Sequence, residues 1–372
     1  MYHQFNTTPH PTIDAKMHRQ MLACLRTQTV KKPGFSSIFT MQGGPGIGKN
    51  GKAAQFAEHH NLEYVEYMVS GTPSPDITGF MIPNLETKEA EFIPTKKFIS
   101  GHVPTDKDGV LVHIQELDKM KPDQQAIVQT IFDSWLLDNI PVQKDLYYIA
   151  SMNMASDNCG GEELIRSLED RLYLYKLPEP DVNEWLRWAA RSSIHGWVMG
   201  FLKFAPGHLY NFDPDKEGAF CSPRSWEKAS RLIDGLDLTG DMEEDVEMVI
   251  DVVENKVGPG VGIEFSGFIK MAHELVPVSE VLANPETASV PHHDIGAAYA
   301  MCSNLATEFG HRREKGVTLG KETVENAITY IRRMAEDMAV FAFKMCTDAH
   351  PDFSEVTSEW TKFARDFKEL NV

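Results

Sequence analysis

The sequence is poor in basic residues. It has 36 lysines and arginines against 54 aspartates and glutamates, which gives a formal net charge of −18. A chain this acidic is not attracted as a whole to nucleic acid or to an anionic membrane, because both are themselves negatively charged. A locally basic channel would still be compatible with this charge. The excess of negative charge therefore disfavours a DNA translocase and any other nucleic-acid partner, although it excludes neither.

Long apolar runs and paired cysteine motifs are also missing. No apolar run approaches the 18 residues that suggest a membrane-spanning helix, and residues 1–16 lack the cationic flank and apolar core of a signal peptide. The five cysteines are scattered, with no Cys-x-x-Cys pair, which indicates free or buried thiols in a reducing compartment. These absences predict a cytosolic protein with no membrane partner.

The first half of the chain alternates strands and helices. A short strand at 37–41 leads into a glycine-rich stretch, and a helix at 51–60 and a strand at 62–69 follow. This order is a βαβ unit, which implies a parallel sheet. Further strands are predicted at 109–117, 146–153 and 172–177. The predicted fold class is therefore α/β, with a five-stranded parallel sheet flanked by helices.

Two regions depart from this alternation. Residues 71–105 contain five prolines and two strand-like pieces around a polar turn, which predicts an inserted β-hairpin. Beyond Pro178 the apolar spacing is helical, with one helix predicted at 182–197 and another at 323–346. The acidic run 241–254 has apolar residues at helical spacing and predicts an amphipathic helix with a charged outer face.

The glycine-rich stretch matches the phosphate-binding P-loop pattern GxxxxGK, between a predicted strand and a predicted helix. The backbone N–H groups of such a loop form an anion site at the helix N-terminus, and its lysine reaches the β- and γ-phosphates. The predicted nucleotide-binding residues are Gly43, Gly44, Pro45, Gly46, Ile47, Gly48, Lys49, Asn50 and Gly51.

A second element is the strand 110–116, which ends in Gln115 and Glu116. In P-loop ATPases a buried strand ends in two acidic residues, of which the first holds Mg²⁺ and the second polarises the attacking water. Glu116 is thus the predicted catalytic carboxylate. Gln115 occupies the metal position as an amide, and Asn50 stands where a Ser or Thr hydroxyl normally binds Mg²⁺. The predicted metal site, Asn50 and Gln115, is therefore weak and acts through water. Asp118 lies two residues too far along to replace Gln115.

Five segments, taken in order, resemble an AAA+ ATPase of the MoxR type, of the kind carried by bacteria and their phages. These segments are GGPGIGK, GVLVHIQELDKMKPDQQ, YYIASMN, LIRSLEDRLYLYKLPEP and CSPRSWEKASRLI. The resemblance covers about residues 12–290. It implies that Asn153 is sensor 1, which helps to place the attacking water, and that Arg224 is sensor 2. It also implies that Arg171 is the arginine finger supplied to a neighbouring subunit, with Arg166 as a second candidate.

The resemblance further implies a ring, expected to be a hexamer, that binds ATP and Mg²⁺ between subunits in the cytoplasm of a bacterial cell or bacterial host. Hydrolysis would drive chaperone-like remodelling of a protein partner, such as one with a von Willebrand factor A domain. The hairpin would face the ring pore, where Phe80, Phe92 and Phe98 could contact a substrate, although packing within the insert is the commoner role.

The predicted domains are an N-terminal arm and helix at 1–36, an α/β nucleotide-binding core at 37–180, a helical lid at 181–285 and a C-terminal helical extension at 286–372.

Two other functions are compatible with these residues. The amides at Asn50 and Gln115 favour a scaffold that binds nucleotide and hydrolyses it slowly or not at all, unless Mg²⁺ held mainly by phosphates and water is sufficient. A small-molecule kinase on a P-loop core is the third candidate. Arg171 and Arg224 disfavour the kinase, because a monomeric kinase keeps its arginines in its own lid.

Overall fold

The computed structural model describes most of the chain, as two compact units. The described residues are 5, 13–69, 72–95, 99, 103–104, 106–137, 139–157, 159–192, 194–236, 242–292 and 294–366. One unit comprises residues 1–178 and 213–216, and the other comprises residues 179–212 and 217–372. Within the described ranges, no helix is both long and apolar enough to cross a membrane. The described cysteines are all free thiols.

The first unit is an α/β core. Its strands are β1 (Ile38–Gln42), β2 (Leu62–Met68), β3 (Gly79–Asn84), β4 (Glu89–Pro94), β5 (Gly109–Gln115), β6 (Leu136–Leu137), β7 (Ile140–Pro141), β8 (Leu146–Met152) and β9 (Leu172–Lys176). Five of them form a parallel sheet in the order β2-β5-β8-β1-β9. Strands β5 and β8 are buried along their whole length, as expected for central strands covered on both faces. The predicted five-stranded parallel sheet is confirmed.

The helices of the first unit cover this sheet. They are α1 (Ala15–Gln28), α2 (Lys49–His59), α3 (Ser74–Thr78), α4 (Pro122–Ser134) and α5 (Arg166–Glu169). Asp14 caps α1, since its carboxylate accepts a hydrogen bond of 2.8 Å from the backbone N–H of Met17. Helix α2 packs against β2, β5 and β8, and it therefore covers the sheet face on which Tyr64, His113 and Ser151 lie.

The inserted hairpin is also confirmed. Strands β3 and β4 pair with each other alone and antiparallel, with Phe80 opposite Ile93 and Met81 opposite Phe92. Phe80 is 55 % exposed, so it does not pack into the interior of the unit. Leu85, at the hairpin turn, is 88 % exposed. Phe98, the third aromatic residue predicted here, lies outside the described residues.

The second unit is helical in its described residues. Its helices are α6 (Val182–Arg191), α7 (Gly196–Phe204), α8 (Pro223–Asp234), α9 (Met242–Val257), α10 (Pro259–Glu274), α11 (Val278–Ala283), α12 (Ile295–Glu314), α13 (Lys321–Ile331), α14 (Glu336–Ala349), α15 (Asp352–Glu355) and α16 (Glu359–Asp366). A single hydrophobic core extends from Trp185 to Phe363. The helices on both sides of residue 285 share this core, so the boundary between lid and extension stays a prediction.

Two helix predictions in this unit were wrong in extent. The helix predicted at 182–197 ends at Arg191, and a new helix starts at Gly196 because His195 caps it: His195 Nδ1 accepts a hydrogen bond of 3.1 Å from the N–H of Trp197. The helix predicted at 323–346 is likewise divided, because Ala335 has an extended backbone. The acidic segment does form an amphipathic helix, α9, with Val246, Val249 and Val253 buried.

Lys31 gives the first unit a pH-dependent stability. Its ammonium donates to the backbone oxygen of Leu146 and lies 4.1 Å from the centre of the Trp135 ring. Burial lowers the pKa of Lys31 to about 7, although the charge of Asp145 acts in the opposite direction. Above that pH the unfolded chain holds a proton that the folded chain has released, so the free energy of unfolding rises with pH.

We therefore expect the wild-type free energy of unfolding to rise between pH 7 and pH 9 more steeply than that of Lys31→Met. Urea titrations followed by circular dichroism at several pH values in this range would measure both slopes. The matched control is Lys32→Met, which changes the neighbouring, more exposed lysine. Parallel slopes for wild type and Lys31→Met would contradict the assignment.

Candidate functional site

The glycine-rich loop joins the carboxyl end of β1 to the start of α2. Gly46 and Gly48 have φ angles of 79° and 89°, a left-handed conformation that favours glycine. A side chain at Gly43 would collide with Ile47 and press on Leu177. Helix α2 begins at Lys49, two residues earlier than predicted, so Lys49 and Asn50 are in its first turn. Its first N–H groups can therefore bind an anion such as a phosphate.

Lys49 connects this loop to the end of β8. Its ammonium donates hydrogen bonds of 2.6 Å to the backbone oxygen of Gly43, 3.1 Å to that of Gly44 and 2.9 Å to Oδ1 of Asn153. Asn153 follows β8, which pairs directly with β1. The structure thus brings together the predicted lysine and the predicted sensor residue, which lie more than 100 residues apart in the sequence.

Asp118 orients Asn153, a contact that the sequence reasoning missed. The Asp118 side chain is 5 % exposed. One of its oxygens accepts a hydrogen bond of 3.1 Å from the backbone N–H of Asn153, and the other accepts one of 3.4 Å from Asn153 Nδ2. The amide of Asn153 is therefore held between a cation on its oxygen side and an anion on its nitrogen side. Asp118 is a positioning residue, because it acts through Asn153.

Glu116 immediately follows β5 and has an unusual backbone. Its φ and ψ angles of 56° and 44° lie in the left-handed region, which costs a residue other than glycine about 1–3 kcal/mol. Its carboxylate lies 3.4 Å from the ammonium of Lys119, and both side chains are about one-third exposed. Because the strands are parallel, Glu116, Asn153 and the glycine loop lie at the same edge of the sheet.

The two predicted metal positions do not fit Mg²⁺ well. Gln115 is 5 % exposed and presents a neutral amide. A neutral amide is a poorer ligand than a carboxylate, because Mg²⁺ prefers carboxylate, phosphate and water oxygens. Asn50 places a second amide at the start of α2. No group of three or more His, Cys, Asp or Glu side chains in the described part of the chain is arranged to hold a metal ion.

A hydrogen-bonded network lies beneath these two positions, across β8, β5 and β2. His113 Nε2 lies 2.9 Å from Ser151 Oγ, and His113 Nδ1 lies 2.8 Å from Tyr64 Oη. Burial, together with the nearby charge of Lys49, lowers the pKa of His113 to about 3, so the ring is neutral at physiological pH. Both ring nitrogens of this buried histidine therefore have a hydrogen-bonding neighbour.

Tyr64 connects that network to the two metal positions. Its hydroxyl oxygen lies 3.1 Å from a carboxylate oxygen of Glu66 and 3.4 Å from the backbone oxygen of Asn50. Burial and the charge of Glu66 raise the pKa of Tyr64, while a hydrogen bond from the side-chain amide of Gln115 acts in the opposite direction. The amide of Gln115 therefore lies close to the start of α2.

Arg171 lies at the opposite edge of the sheet from the loop. Its backbone oxygen accepts a hydrogen bond of 2.9 Å from the N–H of Ile38, the first residue of β1. A five-residue strand is about 16 Å long at roughly 3.3 Å per residue, so Arg171 cannot assist at its own loop. Its guanidinium forms an ion pair of 2.9 Å with Asp133. Arg166, the second candidate, is exposed at the start of α5.

Arg224 belongs to the second unit. It is exposed in the first turn of α8, a helix that Ser222 caps by accepting a hydrogen bond of 3.1 Å from the N–H of Ser225. Its predicted sensor role is not tested by the geometry of either unit, and it stays a prediction.

Comparison with known proteins gives a likeness of fold only. No protein-family model matches the chain, and no curated protein matches it significantly. Thermotoga maritima RuvB, a Holliday junction branch migration motor, is 10 % identical with a TM-score of 0.33, over 74 % of this chain and 76 % of that one. A candidate ATPase from Cytophaga hutchinsonii is 12 % identical with a TM-score of 0.34, over 83 % and 78 %. Values this low say nothing about activity or partners.

Proposed function

We propose that this chain is an ATP-binding P-loop ATPase of the AAA+ class. The observation that supports this most directly is the chain of contacts from the loop through Lys49 and Asn153 to Asp118. These contacts join the loop lysine to an amide that Asp118 orients, beside the start of helix α2. Glu116 follows β5, the neighbour of β8, at the same edge of the sheet. Lys49 and the loop N–H groups bind the phosphates, and Glu116 accepts a proton from the attacking water.

The position of Arg171 supports an assembly of several copies. Because Arg171 lies at the amino edge of the sheet, it can reach a bound phosphate only on a neighbouring copy of the chain. We therefore propose a homo-oligomer, with a hexameric ring of MoxR type as its form, in which Arg171 completes the next subunit's site and Arg224 acts as the sensor of the helical unit. Coupling of hydrolysis to remodelling of a protein partner, such as one with a von Willebrand factor A domain, belongs to the same proposal.

A second candidate function is a nucleotide-bound scaffold without turnover. The amides of Asn50 and Gln115 favour it, because phosphoryl transfer usually requires a divalent cation that neutralises developing charge. In that case nucleotide would stabilise the assembly, and its hydrolysis would play no part.

Glu116→Gln separates these two functions. We expect phosphate release at saturating ATP to fall by about 100-fold, because an amide cannot accept the proton that the carboxylate takes in the transition state. ATP affinity should stay within about threefold of wild type, since Glu116 does not hold the phosphates. Phosphate release and equilibrium binding of a fluorescent ATP analogue would be measured on the full chain.

The matched control is Glu63→Gln, which removes a carboxylate from β2 on another part of the first unit. It should leave both quantities unchanged. If wild-type protein binds ATP but releases no phosphate above the level of Glu116→Gln, the ATPase proposal fails and the scaffold remains. Particle images with and without ATP would then show whether nucleotide alone forms the ring.

A further inference from the structure

Three polar residues of helix α4 lie four positions apart and contact one segment of the chain. Gln125, Gln129 and Asp133 share one face of the helix, because residues at this spacing are stacked about one turn apart. Each of them bonds to residues 163–171, the arginine segment, which ends at Arg171. The contacts span about 12 Å, at roughly 1.5 Å per helical residue. The arginine segment is therefore attached to α4 along this whole face.

Gln125 makes the first of these contacts and is 0 % exposed. Its Oε1 accepts a hydrogen bond of 2.8 Å from the N–H of Ile165, and its Nε2 donates one of 3.2 Å to the backbone oxygen of Glu163. Nε2 also donates a bond of 2.9 Å to the backbone oxygen of Met120, at the end of the turn that follows Glu116. One buried amide thus joins that turn to the beginning of the arginine segment.

The other two contacts lie further along α4 and lead to Arg171. Ser167 donates a hydrogen bond of 2.7 Å from its hydroxyl to Oε1 of Gln129. The guanidinium of Arg171 pairs with Asp133 at 2.9 Å, and it also donates to the backbone oxygen of Ser167 at 2.5 Å. Both groups that hold this guanidinium are therefore placed by α4, one as part of the helix and the other through Gln129.

These contacts give α4 a role in the neighbouring subunit's reaction. Resting on the proposed function, in which Arg171 completes the site of the next copy, we propose that Gln125, Gln129 and Asp133 position Arg171 for that copy. Gln125 is a positioning residue, because it acts through the arginine segment. It contacts the turn after Glu116 of its own site, yet its effect falls on the hydrolysis carried out by the neighbour.

Complementation between two inactive variants reveals the direction of this effect. Lys49→Ala supplies Arg171, and Arg171→Ala supplies an intact nucleotide site, so phosphate release would be measured in equal mixtures of the two full chains. Gln125→Met keeps the length of the side chain and removes its hydrogen bonds, and it would be added to one variant at a time. In the Lys49→Ala chain it should lower the recovered phosphate release by about tenfold or more, because small misplacements of a charge-stabilising group are costly.

In the Arg171→Ala chain, Gln125→Met should lower the recovered release by less than about threefold, because that chain donates no arginine. Equal losses in the two placements, or no loss in either, would overturn the inference. If the mixture without Gln125→Met recovers no phosphate release in assemblies that contain both variants, the proposed action of Arg171 between subunits fails, and the inference fails with it. The first result and the second are therefore distinguishable.

Gln124→Met is the matched control, because Gln124 is the adjacent buried glutamine of α4 and its bonds go elsewhere. Its side chain accepts from the N–H of Lys121 and donates to the backbone oxygen of Thr72. The recovered release should differ by less than about twofold between its two placements, since its contacts do not include the arginine segment. The same one-sided loss for Gln124→Met would overturn the assignment to Gln125.

Gln129→Met provides a second variant if circular dichroism shows that Gln125→Met does not fold. Gln129 is half-buried and contributes one bond, to Ser167, so its removal disturbs the first unit less. We expect a loss of about threefold, again only when the substitution is in the chain that supplies Arg171. A loss that is the same in both placements would overturn the role of this face of α4.

Discussion

Lys49→Ala is expected to abolish ATP binding at micromolar nucleotide and to reduce phosphate release to background. The ammonium of Lys49 is the cation of the loop, with acceptors at Gly43, Gly44 and Asn153. A phosphate oxygen would exchange with these neutral acceptors and gain a charge-assisted bond, so its loss should weaken binding by about 100-fold. Equilibrium binding of a fluorescent ATP analogue measures the first effect directly.

Lys52→Ala is the matched control, because Lys52 lies one turn further along the same helix. It changes the net charge of α2 by the same amount, so any general effect of charge would appear in both variants. We expect Lys52→Ala to bind ATP within about threefold of wild type. Equal losses in the two variants would mean that the loop is a structural turn rather than a phosphate site. Circular dichroism would show that both proteins are folded.

The fold of the first unit was largely predictable, because local signals specify it. Two glycines with positive φ define the loop, and β-branched and aromatic runs define the buried strands. The breaks in the second unit were not predictable in the same way. A continuous apolar stripe covers 182–197, yet the first helix ends at Arg191 and the cap made by His195 starts a second one. Side-chain caps of this kind are weak signals in a sequence read for periodicity.

The site was predictable as a set of residues but not as a set of contacts. The motifs of the sequence predicted Lys49 and Glu116, and the family resemblance implied Asn153, yet Asp118 was considered only as a replacement for Gln115. Asp118 and Asn153 are 35 residues apart, and they meet because β5 and β8 pair in parallel. A pairing register is a tertiary property, and no local pattern in either segment encodes it.

Arg171→Ala is expected to slow phosphate release by about 1,000-fold in the assembled protein while ATP affinity stays within about threefold. An arginine that neutralises charge on the transferred phosphoryl group contributes on the order of 10³–10⁵ in rate. The ion pair with Asp133 holds Arg171 at the surface, where a neighbouring subunit's nucleotide would compete for it. Arg231→Ala is the matched control, because Arg231 likewise forms an ion pair, with Glu227.

Mixing two inactive variants tests whether Arg171 acts between subunits. A Lys49→Ala subunit cannot bind ATP but keeps Arg171, and an Arg171→Ala subunit keeps its loop but lacks the arginine. In a mixed ring the first supplies Arg171 to the second, so equal amounts should recover about a quarter of wild-type phosphate release if the subunits mix at random and each site acts independently. No recovery in rings shown to contain both variants would place the function of Arg171 elsewhere. Repeating the mixture with Arg166→Ala in place of Arg171→Ala would show whether Arg166 is the finger instead.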